Sequence, residues 1–597
     1  MVPRSTVCLL FLLSPFVHSQ SPATATPTLR TGVRLVLEEV VVTDGRGNPV
    51  HGLKQGDFTV RENKDVQTVS SFEEHSGSSQ RQLPVQPLPP GVFTNIPVAG
   101  GAVNVLLLDG MNTPPQAQVY LRNQLVKFLE MERPGTRTAV FTLNQRLHLL
   151  QDFTTDPALL KRVVKLQGVQ FSPLLERELN DTAAHQISEA MTNLIERSGG
   201  SAVLERVQSG LLDMEARRAS QQVQVRARIT MDALNQISRY LAGVPGRKNL
   251  MWFSGAFPIS IQRDIQTTGD PFAGQADLSA DLQLTVNLLA QNQVAVYPID
   301  ARGLETLPSQ SSAENSGGGN QLRSQLTYGT RSATPRDDDF YNTQFAEHAT
   351  MQNVAQGTGG EAFYNTNGLF EATQRAATDG ENYYTLQYTP PANNKPGSFR
   401  NIEVRVNRSG LHLAYRRGYY TEAASGGARF GSPAAGPSSL SSSAAYFAPD
   451  ASEIPLRVQP VKIASALPEQ TIGLKAAGQA EHALYALNLQ IPMDALDVAL
   501  AADGKRHMTL EFATLLYDNK GAVIESHVDR AALALDEERY QSMVQAGGVR
   551  FHHNIALPAN SKGTVRVMVH DVAANRVGSL RLSDEQIRQA SAVAPAH

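Results

Sequence analysis

The stretch from Asn104 to Pro115, NVLLLDGMNTPP, limits the fold of this chain more than any other. Val105 to Leu108 are apolar without alternation, which predicts a strand buried on both faces. The run stops at Asp109, and glycine, asparagine, threonine and two prolines follow, so the strand ends abruptly in a polar loop. A carboxylate at the carboxyl end of a central strand lies where open α/β sheets bind ligands. The same aspartate can instead cap the amides of a following helix, and the strand alone leaves both roles open.

Around this strand the pattern is α/β. Gln116 to Met131 has helical spacing, and TRTAVFTLN and LHLLQDFT read as two strands parted by a tight polar turn at Asn144 to Arg146. Asp156 is expected to cap a helix reaching about Val164. Residues 174–241 form a long polar, Gln/Ala/Arg-rich insertion with apolar positions at helical intervals, Ile187, Met191, Leu194 and Ile195, then Ile229, Leu234, Ile237 and Leu241. It is expected to pack by one stripe as a solvated helical insertion, with a coiled partner surface as the alternative. Asn249 to Phe253 is a second buried strand ending at Ser254, and VAVYPIDARGL a third ending at Asp300. Residues 307–339 are Ser/Gly/Asn-rich and expected to be a mobile loop, in which Asp337, Asp338 and Asp339 read as solvation and not as a metal site. A helix from Ala346 to Ala355, the turn GTGGEAF and a helix from Leu369 to Ala377 close the unit.

Each flank of the unit carries a short alternating β segment, residues 30–75 and 380–422. Neither is large enough to stand alone. They are expected to pair with each other, forming one β-sandwich into which the α/β domain, residues 102–379, is inserted. Residues 76–101 and 423–452, rich in Pro, Ser, Gly and Ala, read as linkers, and residues 453–585 as a C-terminal β-sandwich.

With 597 residues the chain exceeds one core, and its formal net charge of -3 gives no support to nucleic-acid binding. Residues 1–19 have the layout of a cleavable secretory signal, with Arg4, an apolar run from Val7 to Leu13, and cleavage after Ser19 or at Ala23 or Ala25. Cys8, the only cysteine, lies inside it, so disulfides and thiolate chemistry are excluded from the mature chain. No later apolar run reaches membrane-spanning length. An exported product, periplasmic or extracellular, is expected.

The Asp109 loop, the strand order and the closing GTGGEAFYN resemble a von Willebrand factor type A domain. The wider layout, with VVVTDGRGNPVHGLKQGDFTV, LAGVPGRKNLMWFSGAFP and Arg417-Gly418-Tyr419-Tyr420, is similar to the bacterial exported "VWFA-related" group. In that family a divalent ion is held at the strand ends by Asp-x-Ser-x-Ser, a threonine and a second aspartate. The resemblance places Asp109 as first ligand, Thr113 as the last hydroxyl, Thr154 or Thr155 as the threonine, and Ser254 where the second aspartate is expected. Met111 replaces the middle serine, a soft thioether where Mg2+, Mn2+ or Ca2+ wants oxygen. Asn112 and Asp300 are the conceivable substitutes.

The resemblance implies a binding or adhesion-type protein with a degenerate ion site, engaging an unknown protein or cell-surface ligand through a carboxylate. A metal-free structural scaffold of the cell envelope is the alternative. An exported hydrolase is disfavoured: Ser254 lacks the Gly-x-Ser-x-Gly elbow, and neither His-Glu-x-x-His nor a phosphate loop occurs. His552 and His553 are adjacent and point to opposite faces of a strand, so they cannot chelate together.

Overall fold

A computed structural model describes residues 35–77, 88–96, 102–131, 136–168, 172, 194–195, 202–257, 278–304, 335–391, 398–421, 443–467, 471–474 and 481–591. The expected signal segment and most of the loop at 307–339 lie outside them. No described helix is long and apolar enough to cross a membrane.

The first described strands are β1 (Val36–Thr43), β2 (Phe58–Glu62), β3 (Asp65–Gln67) and β4 (Val69–His75), followed by the short β5 (Phe93–Thr94). The α/β unit then runs β6 (Val103–Asp109), α1 (Pro115–Met131), β7 (Arg137–Leu143), β8 (Leu147–Thr154), α2 (Pro157–Leu166), α3 (Ala202–Leu241), β9 (Lys248–Ser254), α4 (Ser279–Gln291), β10 (Val294–Asp300), α5 (Pro335–Thr358) and α6 (Leu369–Glu381). Its sheet has the order β10-β9-β6-β7-β8, parallel except for β8. Side chains alternate across β6. Val105 and Leu107 face a layer built by α3, α4 and α5, while Leu106 faces α1, α2 and α6. Both faces are covered, which is why the strand sequences are apolar throughout.

The chain continues as β11 (Tyr383–Tyr388), β12 (Phe399–Val406), β13 (His412–Ala414) and β14 (Gly418–Tyr420). β1 pairs with β11 and β13, and β2 pairs with β12, giving two four-stranded sheets that share one core of Val40, Phe58, Val60, Leu386, Tyr388 and Val404. The strands either side of the α/β unit therefore build one sandwich. Arg247, immediately before β9, joins the two parts. It is fully buried, donating to Tyr297 Oη at 3.0 Å and to the Gly359 carbonyl at 2.6 Å, and pairs with Glu39 of β1 at 3.4 Å.

The last module contains β15 (Arg457–Ile463), β16 (Thr471–Ile472), β17 (His482–Ile491), β18 (Ala499–Leu500), β19 (Arg506–Tyr517), β20 (Val523–Leu535), α7 (Glu537–Gln545), β21 (Val549–Pro558), β22 (Thr564–Asp571), β23 (Arg576–Ser583) and α8 (Asp584–Ser591). One sheet has the order β16-β21-β17-β15-β5 and the other β18-β19-β22-β23, with β20 added on β19. The apolar faces of the two enclose a core centred on Leu487, Leu489, Phe512, Val567 and Leu582.

Three sequence expectations need correction here. Residues 76–101 are not linker throughout, because β5 pairs with β15 inside the C-terminal module. Residues 443–452 are likewise docked: Ala451 exchanges hydrogen bonds with Ser579 of β23. Polar composition misleads at both places because the polar groups are satisfied by backbone. Buried Asn95 donates to the carbonyls of Ala451 (2.6 Å) and Ile454 (2.9 Å) and accepts from the Leu456 amide (2.7 Å). Third, residues 335–339, expected to lie in the loop, are the start of α5.

Candidate functional site at the strand end

Asp109 closes β6, and Ser254 closes the neighbouring parallel strand β9, so the two side chains emerge at one edge of the sheet. Trp252, two residues before Ser254, shares its face. Asp109 Oδ2 accepts from Asn112 Nδ2 at 2.8 Å, from Trp252 Nε1 at 3.2 Å and from Ser254 Oγ at 3.0 Å, and Oδ1 accepts from the Asn112 amide at 3.1 Å. The carboxyl is 1 % exposed. Burial pushes its pKa up, and the donors from Asn112, Trp252 and Ser254 pull it back toward the ionised form.

Asn112 passes this network outward. Its amide nitrogen also donates to Thr230 Oγ1 at 3.0 Å, and its oxygen accepts from Arg226 Nε at 3.0 Å. Thr230 and Arg226 lie one turn apart on α3, and both are buried. The long helix therefore lies over the strand end and sets a buried guanidinium beside it. Thr113 is buried as well, its Oγ1 accepting the Gly255 amide at 2.9 Å. Met111 turns into the core beneath α3, with its amide bonded to the Leu143 carbonyl.

Of the residues singled out from sequence, the structure gathers Asp109, Asn112, Thr113 and Ser254. It does not gather Thr154 and Thr155. β8 runs antiparallel to β7, so Thr154 pairs with Thr138, which lies opposite Asn104, five residues before Asp109. That separation is about 16 Å along the strands. The three-residue turn at Asn144 to Arg146 carried the signal, since a parallel return needs a crossover of a dozen residues. Thr154 instead accepts the Asp156 amide, and Asp156 caps α2. Asp300 ends β10 at the same edge, but Arg302 holds it at 2.7 Å and also pairs with Glu347. Arg226, Thr230 and Trp252 were not anticipated. The trace of Arg226 and Thr230 in the sequence is two polar residues one turn apart beside the apolar stripe of α3, and that of Trp252 is its place two residues before Ser254.

This donor set does not fit a hard divalent cation. Such an ion takes six or more oxygens, waters among them, and each protein ligand must turn a free lone pair toward it. Here Asp109 Oδ2 already faces three donors, the Asn112 oxygen faces a guanidinium and the Thr113 hydroxyl oxygen faces an amide. Arg226 supplies the positive charge that an ion would bring. Asp109, Asn112, Thr113 and Ser254 are thus brought together at the strand end as members of one hydrogen-bond network. On the other side of the strand end, Asp109, Gly110, Gln118 and Thr142 border a cavity of about 30 Å³, room for a water molecule and not for a small ligand.

No family model and no curated protein matches the chain. Solved structures that match the chain include a von Willebrand factor type A protein from Catenulispora acidiphila, 9% identical, covering 62% of this chain and 76% of its own, with a TM-score of 0.24. They also include proximal thread matrix protein 1 of the mussel byssus with a zinc-occupied MIDAS motif, 9% identical over 50% of each chain at a TM-score of 0.21. The pilus adhesin SpaC from Lactobacillus rhamnosus GG is 8% identical over 86% of this chain and 57% of its own, at a TM-score of 0.24.

Proposed function

We propose that this chain is an exported binding or adhesion-type protein, and not an enzyme, whose von Willebrand factor A-like unit engages a protein or cell-surface ligand without a bridging cation. The observation behind this reading is the Arg226–Asn112–Asp109 relay, in which a guanidinium and an amide are hydrogen-bonded in series to the strand-end carboxylate. The small cavity at the strand end favours a macromolecular surface over a small molecule as ligand. Ser254 is buried and bonded to Asp109 and to the Ala256 carbonyl, which speaks against a nucleophile.

A structural scaffold of the cell envelope is the second reading, and the joints between modules favour it. Ser452 Oγ bonds the Tyr240 carbonyl at 2.6 Å and the Gly243 amide at 2.8 Å, and Arg239 of α3 forms a buried ion pair with Glu453. These contacts suit a stiff spacer.

The test is retention of the labelled mature protein on the surface of the producing cells, with Mg2+, Mn2+ and Ca2+ present or removed and trace zinc held constant. Retention unchanged by the three ions is expected. Retention that needs one of them and disappears in Asp109→Ala would overturn the cation-free reading, and no retention at all would leave the scaffold.

A further inference from the structure

The C-terminal sandwich brings together His527 and Asp529 of β20 and His553 of β21, three side chains from opposite sheets. His527 and Asp529 are two residues apart and so share a face of β20, paired with Thr514 and Phe512 of β19. His553 Nε2 lies 2.7 Å from Asp529 Oδ2, and His527 Nε2 lies 3.4 Å from the same oxygen. One ligand atom from each of the three residues falls within 4.8 Å of the others. Tetrahedral coordination with bonds of about 2.0 to 2.1 Å sets ligand atoms roughly 3.3 Å apart, close to these separations.

The surroundings orient the ring that matters most. His553 is 6 % exposed, packed edge-on against Phe551, and its Nδ1 lies 2.7 Å from the hydroxyl of buried Thr514. With a cation on Nε2, the ring hydrogen resides on Nδ1 and the Thr514 oxygen accepts it, the outer hydrogen bond that metal-bound histidines usually make. His527 and Asp529 are 46% exposed each, so a fourth position faces solvent. His552, on the other face of β21, takes no part.

We propose that His527, Asp529 and His553 form a zinc-class metal site that clamps the edge strand β20 to the facing sheet. Two imidazoles and one carboxylate suit zinc or a neighbouring first-row ion, and are too few oxygens for magnesium or calcium. Among the described residues β20 is paired along its length only with β19 and is largely exposed, so a cross-sheet tie would hold the strand most easily lost from the sandwich. The site is far in sequence from the Asp109 network and does not depend on it.

The experiment is calorimetric titration of the chelator-stripped mature chain with Zn2+, with melting followed in parallel. One Zn2+ per chain and a melting temperature that rises with Zn2+ are expected, both retained in Asp109→Asn. In His527→Ala and in Asp529→Asn, exposed positions whose folding circular dichroism can verify, affinity should fall at least tenfold. Absence of saturable binding by the wild-type chain, or equal affinity in both variants, would overturn the proposal and mark any binding as an adventitious ion only. Mg2+ in place of Zn2+ should leave the melting temperature unchanged; an equal rise with Mg2+ also counts against it.

Discussion

Arg226, on the buried face of α3, donates its Nε hydrogen to Asn112 Oδ1 across 3.0 Å, although 114 positions separate the two residues. Asn112 in turn donates to Asp109, so a buried cation and a buried carboxylate communicate through one amide. The helix that covers the strand end thereby sets a guanidinium one amide away from the carboxylate at its centre.

Asp109→Ala should destabilise the α/β unit by about 3 to 5 kcal/mol, because it leaves the donors of Asn112, Trp252 and Ser254 buried without an acceptor. Urea unfolding checks this. A loss no greater than that of an exposed substitution would contradict the network.

Arg226→Ala should cost about 1 to 3 kcal/mol, and combining it with Asp109→Ala should cost less than the two single losses added together. A double-mutant cycle reads the coupling directly. Strict additivity would mean that Asn112 does not relay the interaction.

Asn95→Ala should loosen the docking of the segment before β6 onto the C-terminal sandwich, since it removes three hydrogen bonds to Ala451, Ile454 and Leu456. Limited proteolysis is expected to cut near residue 95 faster in the variant, while the secondary structure content stays the same. Equal cleavage rates would show that β5 alone holds the joint.

Glu38, buried in β1, has its pKa pushed up to about 7 by burial, against the opposing pull of Arg416. The folded chain keeps this proton at pH values where the unfolded chain, near 4.5, has lost it. Its contribution is therefore full below about 4.5 and lost as the pH rises through 7, on the order of 3 kcal/mol across that window. Lys248 works oppositely: burial lowers it to about 8, so its contribution is present above the unfolded value of 10.5 and lost as the pH falls through 8. Unfolding free energies measured from pH 4.5 to 7 should decline less in Glu38→Gln than in the wild-type chain. Parallel slopes would be the contrary result.

Gly360→Ala should abolish the soluble folded state. A Cβ at this position would lie 2.0 Å from the Val296 carbonyl oxygen, and β10 has no slack in which to move. Expression yield and circular dichroism report the outcome; a well-folded alanine variant would show that the turn after α5 can shift.

Much of the fold was legible because burial is written locally. The unbroken apolar run of β6 announced a strand covered on both faces, and the alternation in β1 and β12 announced half-buried strands needing partners. That Asp109 and Ser254 would meet also followed, since each ends a buried run and parallel neighbours align their ends. The direction of β8 could be read from its three-residue turn, and that signal alone excludes Thr154 and Thr155 from the site.

What local pattern could not carry was the identity of neighbours distant in the chain. The stripe on α3 shows which face is buried, not that Arg226 and Thr230 come down on Asn112. Asn95 reads as linker until the carbonyls of Ala451 and Ile454 meet it. Likewise His553, which cannot chelate with His552, meets His527 only because two sheets pack face to face. Periodicity along a chain reports the environment of each side chain. Which polar group satisfies another, and so whether a carboxylate waits for an ion or is already answered, is decided by how separate elements pack in three dimensions.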